Sequence, residues 1–291
     1  MMTNKELIAI WYDDITKQPF KKSEKTRDTY AKEIKYFLNF IKKNIPDIDK
    51  TDVKTYMQSI NVSDSSYNTA LAGISSLYKI LGYDVRTENI IKDNPTYGVF
   101  RVAVKNKEKV PLTQEEERAL LQNCKNPRDY AIILTLLSTG VRINELINIT
   151  LEQYKNRDEF NGIELVVTKR SKIRTIYLND KVIEAIEKYL IIRKDGADTL
   201  FTSNGGEKML RTSISRTLKC IAQRSGVFTD DRISQIAPHL MRASCATNMS
   251  ENGVPIQVIQ KMLGHSHLDT TMVYIKTKNA DVEKVMKNYV I

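Results

Sequence analysis

The 291-residue chain reads as a mainly α protein of two domains with one small β-hairpin. Three observations predict this. Apolar residues recur at helical spacing through most of both halves. Two β-branched runs, 163–168 and 173–178, flank the basic tetrapeptide KRSK, which is the pattern of a hairpin. Between the halves, residues 100–111 (FRVAVKNKEKVP) break the periodicity. They hold Arg101, Lys105, Lys107 and Lys109 against a single acid, Glu108, the composition of an extended basic linker. The length suits about two domains at the usual ~100–200 residues each. The expected organisation is a helical domain over 1–99, a basic linker over 100–111 and an α+β domain over 112–291.

In the first domain, Tyr30, Ile34, Phe37, Leu38 and Ile41 form one apolar stripe, which predicts a helix over 23–43 with Ser23 as its N-cap. A shorter helix fits 49–60, and another fits 64–81 and stops at Gly82. Asn94-Pro95 marks a turn. The second domain opens on Thr113 and Glu116, spaced as a capping box. The segment DYAIILTLLST (129–139) is apolar nearly all round and predicts a buried helix ended by Gly140. A short helix follows at 142–148, then the hairpin, then helices at 179–194, 210–225, 238–253 and 255–263. Residues 279–289 place Val282, Val285, Met286 and Tyr289 on one face of a last helix.

Lys and Arg total 45 against 35 Asp and Glu, and the resulting +10 is shared about equally between 1–110 and 111–291. An excess spread in this way suits a polyanionic partner, of which nucleic acid is the commonest. No apolar run approaches the ~18–20 residues of a membrane span. The start, MMTNKELIAIWYDDITKQPF, lacks the charged and apolar regions of a secretory signal. Cys124, Cys220 and Cys245 are odd in number, far apart and form no CxxC pair, which argues against a disulfide framework or a zinc site. Free thiols in a reducing cytoplasm are expected, with no metal or other cofactor.

Four strings carry the chemistry: STGVRINEL (138–146), VVTKRSKIR (166–174), PHLMR (238–242) and LGHSHLDTTMVY (263–274). Arg142 and Arg242 offer two planar forks of donors, the shape that fits the oxygens of a phosphate. His239 and His265 exchange protons near neutral pH. Lys169 falls on the hairpin tip. Tyr274 follows His265 by nine residues, and a phenol can attack phosphorus where cations lower the barrier. Taken singly, each has an ordinary reading: a surface HxxR pair, a solvated basic turn, an exposed helix acid at Glu145, a core tyrosine. The joint order points elsewhere: R-x-x-E after a buried helix, K on the next hairpin, H-x-x-R, L-G-H, then T-T-x-x-Y.

That order resembles the tyrosine recombinases, the phage-integrase and Xer group. The likeness covers about 112–291 with specific motifs, and the first domain is similar in size and helical character to the family's core-DNA-binding domain. Arg142 matches the first arginine, Lys169 the hairpin lysine, His239 and Arg242 the HxxR pair, His265 the LGH histidine and Tyr274 the nucleophile; Glu145 matches the acid that helps to hold them. The hairpin reads TKRSKIR where the family commonly has GKGxKxR, which leaves Lys169 or Lys172 as the general acid. Ala243-Ser244 stand where His-Thr is frequent. The resemblance implies a site-specific recombinase without an additional amino-terminal arm-binding domain. It would act on double-stranded DNA through a 3′-phosphotyrosyl intermediate and a Holliday junction, with neither metal nor ATP. It also implies a tetramer on two DNA sites, joined through the carboxy-terminal helix, and allows an accessory DNA-bending protein. Arg101, Lys105, Lys107, Lys109, Arg170, Lys172 and Arg174 are candidate DNA contacts. The competing expectations are a DNA-binding protein of this fold without catalysis and a type IB topoisomerase-like enzyme.

Overall fold

The computed structural model describes residues 2–104, 110–159, 162–167 and 172–264. The chain divides into two compact units, Met1–Lys107 and Glu108–Ile291. No helix among the described residues is long and apolar enough to cross a membrane.

The first unit is a bundle of helices α1 (Asn4–Asp14), α2 (Glu24–Ile41), α3 (Lys50–Ser59) and α4 (Asp64–Leu81). Each starts where a side chain can take an orphan backbone N–H. Thr3 with Glu6, and Asp49 with Asp52, make reciprocal capping boxes; Ser23 and Ser63 accept from the third residue of their helices. The expected helix over 64–81 is observed, with Gly82 just beyond it. The expected helix over 23–43 ends at Ile41, because Lys42 turns left-handed at φ 55°. Leu7, Trp11, Ile34, Phe37, Val53, Ile74 and Leu77 fill the core.

The second unit begins with α5 (Gln114–Gln122), opened by the Thr113–Glu116 capping box. Helix α6 (Pro127–Thr139) starts two residues earlier than its apolar run, because Asn126 caps it and Pro127 suits the first helical position. Then come α7 (Ile143–Leu146), α8 (Leu151–Lys155), strands β1 (Ile163–Val167) and β2 (Lys172–Ile176), and helices α9 (Asp180–Ile192), α10 (Arg211–Ser225), α11 (Asp230–Gln235), α12 (Pro238–Glu251) and α13 (Ile256–Leu263). Helices α8 and α11 are too short for a periodic signal, although Thr150 and Thr229 cap them. The strands pair antiparallel in a register that runs from Ile163 opposite Ile176 to Val167 opposite Lys172. Pairing therefore begins one residue earlier on the second strand than the β-branched run suggests, and it ends before Tyr177. The carboxy-terminal helix expected at 279–289 lies outside the described residues.

Helix α6 is the hub. It is buried on nearly every side, as its composition requires, and packs on both α9 and α12. Gly140 ends it at φ 58°, and a Cβ there would lie 2.5 Å from Leu263 Cδ2 and 3.3 Å from Cys245 Sγ. Burial pushes the Cys245 thiol up to about 12, so it packs as a neutral group. Gly140 is thus needed both for its backbone angle and for the close approach of α12 and α13. Gly140→Ala is expected to destabilise this unit by about 2–4 kcal/mol, from the left-handed strain plus overpacking. The single tryptophan, Trp11, lies in the first unit. Denaturation followed by circular dichroism should therefore show an earlier transition in the variant, while the Trp11 fluorescence transition stays in place.

Candidate active site

The site is built where three elements of the second unit meet the end of α13. Helix α7 supplies Arg142 and Glu145. Arg142 is the N-cap of α7, and its backbone N–H donates to Glu145 Oε2 at 2.9 Å while its Nη1 donates to Oε1 at 3.0 Å. The carboxylate thus closes the helix start and orients the guanidinium together. Strand β2 supplies Arg174, whose Nη2 donates to Glu145 Oε2 at 2.5 Å. Helix α12 supplies His239 and Arg242, three residues apart and so on one helix face. His239 is exposed, whereas Arg242 is only 3% exposed.

These arginines converge on consecutive carbonyls. An α-helix leaves its last carbonyls without intrahelical donors. At the end of α13 the Gly264 N–H, in a left-handed cap, serves Gln260 and Lys261. The next three carbonyls are taken by side chains from elsewhere: Arg174 Nη1 donates to Met262, Arg242 Nη2 to Leu263, and Arg142 Nη2 to Gly264 at 2.8 Å. The negative end of the helix dipole favours this gathering of cations. Arg242 Nη1 also donates to Gly140, the residue that ends α6. One guanidinium therefore ties the ends of α6 and α13 together. Gly264 is required here: at φ 65° a Cβ would fall 2.7 Å from Arg174 Cδ.

Arg142 and Arg174 share the Glu145 carboxylate, and Arg242 stands on the neighbouring carbonyl; among the described residues these three guanidiniums gather around one carboxylate, a balance suited to an anion. Burial alone would raise the Glu145 carboxyl; the hydrogen bond and charge of Arg174, and then the bonds from Arg142, outweigh it and hold the group below the usual carboxylate range. Arg142 is the most open of the three, with 34% of its side chain exposed against 9% for Arg174. It can meet an anion from solvent without unfolding anything.

Among the residues singled out in the sequence, Arg142, Glu145 and Arg242 are thus brought together, with His239 on the face of Arg242. Lys172 begins β2, and its backbone pairs with that of Val167. Arg101 is exposed near the end of the first unit. Lys105, Lys107, Lys109, Lys169, Arg170, His265 and Tyr274 lie outside the described residues. Arg174, a candidate DNA contact by sequence, turns its side chain inward, where Glu145 and Met262 hold it. Sequence reading also passed over a basic groove of about 910 Å³ at the start of α10, lined by Lys208, Arg211, Arg216 and Lys219 over Ile147 and Met209. Its signal was present: residues 208–229 contain no acid, and Arg211, Arg216 and Lys219 recur on a strongly periodic helix.

Comparison with known proteins identifies the family. The model of the phage integrase family matches residues 111–281, and that of the phage integrase N-terminal SAM-like domain matches residues 7–85. Tyrosine recombinase XerC of Caldanaerobacter subterraneus subsp. tengcongensis is 32% identical over 254 residues, 84% of this chain and 69% of that protein. A tyrosine recombinase of Thermosipho africanus is 30% identical over 90% of this chain and 91% of its own. Among solved structures, the Tn1549 transposon integrase in complex with transposon right-end DNA superposes with a TM-score of 0.71 at 20% identity, over 98% of this chain and 99% of that one. A lambda integrase dimer bound to a core site gives 0.74 at 16% identity, over 95% and 100%. These last two likenesses are of fold.

Proposed function

The chain belongs to the phage integrase family of tyrosine recombinases, and on that premise we propose that it is a site-specific recombinase that cuts and rejoins double-stranded DNA through a phosphotyrosyl bond. The observation that carries the reading is the convergence of Arg142, held by Glu145, and Arg242 on the helix end that leads directly into His265. A net positive cluster with planar donors suits a phosphodiester whose charge grows in the transition state.

In this scheme the Tyr274 phenol attacks the scissile phosphate. The phosphorus–tyrosyl bond forms on the 3′ side, and the 5′-oxygen leaves as a hydroxyl. The 5′-hydroxyl of the partner strand then attacks the phosphotyrosyl bond and releases the tyrosine. Two such rounds pass through a Holliday junction. Each bond broken is replaced by one of similar energy, so the scheme calls on neither ATP nor metal. Arg142 and Arg242 hold the non-bridging oxygens. His239 accepts the phenol proton, which a group with an ordinary pKa near ~10 needs at neutral pH. Lys169 or Lys172 protonates the leaving oxygen, His265 adds a hydrogen bond to the phosphate, and Glu145 orients Arg142. The first unit and the 100–111 segment, with Arg101, Lys105, Lys107 and Lys109, engage the DNA backbone, as do Arg170 and the α10 groove. Self-association to a tetramer on two sites uses the apolar face of 279–289.

The test is covalent capture. Lightly nicked fragments of the genome that encodes the protein are incubated with it in EDTA, and adducts that survive denaturation are recovered and sequenced. The expected result is an adduct on one recurring sequence. Retention of DNA without any adduct would instead favour a binding protein of this fold, and relaxation of a plasmid that lacks the recovered sequence would favour the topoisomerase-like reading.

A further inference from the structure

Arg174 is out of place by the ordinary logic of a hairpin. It stands opposite Leu165 and two residues before Ile176, both buried, so strand alternation sends its side chain to the interior face. An aliphatic residue would pack there without desolvating a charge. Instead the side chain is 9% exposed, and its Nε is buried without a hydrogen-bond partner. A side chain selected for stability alone would not leave that donor unsatisfied. What it does reach is specific. Nη2 donates to Glu145 Oε2, the oxygen that also receives the Arg142 backbone N–H, and Nη1 donates to the Met262 carbonyl. The Cδ of Arg174 fits under Gly264 only because that residue has no Cβ.

We propose that Arg174 is a positioning residue for DNA cleavage: it couples β2 to the Glu145–Arg142 pair on one side and to the exit of α13 on the other. It touches no reacting atom. It sets the distance between the arginine that meets the phosphate and the helix end from which the chain continues to His265 and Tyr274. A lysine could not do this, because a single ammonium lacks the two-pronged fork needed to span Glu145 and Met262. This assignment rests on the reading of the cluster as the cleavage site.

Arg174→Gln and Arg174→Lys test it in the full-length protein. On the DNA recovered by covalent capture with the wild-type chain, both variants should lower the single-turnover cleavage rate on the order of 10- to 100-fold, the penalty of slight misplacement, at unchanged half-saturating DNA concentration. Loss of Arg174 removes the strongest interaction that keeps the Glu145 carboxyl low. The acid limb of the cleavage profile should therefore move to higher pH in Arg174→Gln, and the added change Glu145→Gln should erase that limb. A second measurement needs no DNA: amide exchange over 256–264 should quicken in Arg174→Gln while exchange in α9 and α10 does not. Cleavage at the wild-type rate, an unmoved acid limb or unchanged exchange at the end of α13 would each overturn the proposal. If the wild-type chain itself forms no adduct, the recombinase reading fails, and the exchange measurement still decides whether Arg174 holds the end of α13.

Discussion

Tyr274→Phe is expected to bind DNA as the wild type does and to form no covalent adduct. The substitution removes one oxygen and leaves the ring, so any apolar packing of the side chain persists. The chemistry cannot persist, because the phenol oxygen is the atom that would join phosphorus. The contrast between binding and trapping makes the result decisive. Electrophoretic retention without a denaturation-resistant band assigns the nucleophile. A residual band would move it to another residue, which mass spectrometry of the adduct would identify. The phosphate cradle is otherwise intact in this variant, so it should also trap the protein on its site before cleavage.

Arg242 carries the second large effect, and two substitutions separate its roles. Arg242→Ala deletes a buried side chain and leaves the carbonyls of Gly140 and Leu263 without their donors. A buried acceptor left unsatisfied typically costs ~1–3 kcal/mol. The variant should melt early and cleave no DNA, a result that by itself reports only folding. Arg242→Lys is the informative change. It keeps the charge and much of the volume but offers one point donor in place of a fork, so it cannot hold Gly140 and Leu263 together in the same way. It should fold, bind DNA and cleave on the order of 10²–10³ times more slowly, the range seen when one oriented transition-state donor is lost. Cleavage at the wild-type rate by a well-folded Arg242→Lys would remove Arg242 from the phosphate clamp.

The contrast between Arg242 and Arg174 shows how far the residues alone could be read. Arg242 was legible because it sits in a short motif, three residues after His239, and a helix brings such neighbours to one face whatever surrounds it. Arg142 and Glu145 were legible as the R-x-x-E of a short motif, whose members lie three residues apart at a helix start. Helix α4 was readable because Gly82 marks its end, and α6 because a segment apolar on all sides has only the interior to go to. The short helices α8 and α11 were not readable from periodicity, since a single turn has no second repeat to establish it.

The inward turn of Arg174 was not legible, for a different reason. Its sequence neighbours, Lys169, Arg170 and Lys172, make the hairpin look like a uniformly basic tip. Strand parity and the Leu165 pairing decide which residues turn inward, and a shift of one residue in register would have sent Arg174 outward. The capture of Met262, Leu263 and Gly264 by three arginines likewise has no local signature. Its members are 88, 21 and 122 residues apart, and they meet only because α6, α12, α13 and the hairpin pack around shared glycine contacts. Composition, periodicity, caps and short motifs thus determined most of the helices, the hairpin and the identity of the main chemical groups, because those depend on interactions a few residues long. The tertiary structure alone decided that Arg142 stays open while Arg242 and Arg174 are buried, and that all three meet at the end of one helix. That arrangement depends on desolvation and on partners far along the chain, which no local pattern encodes.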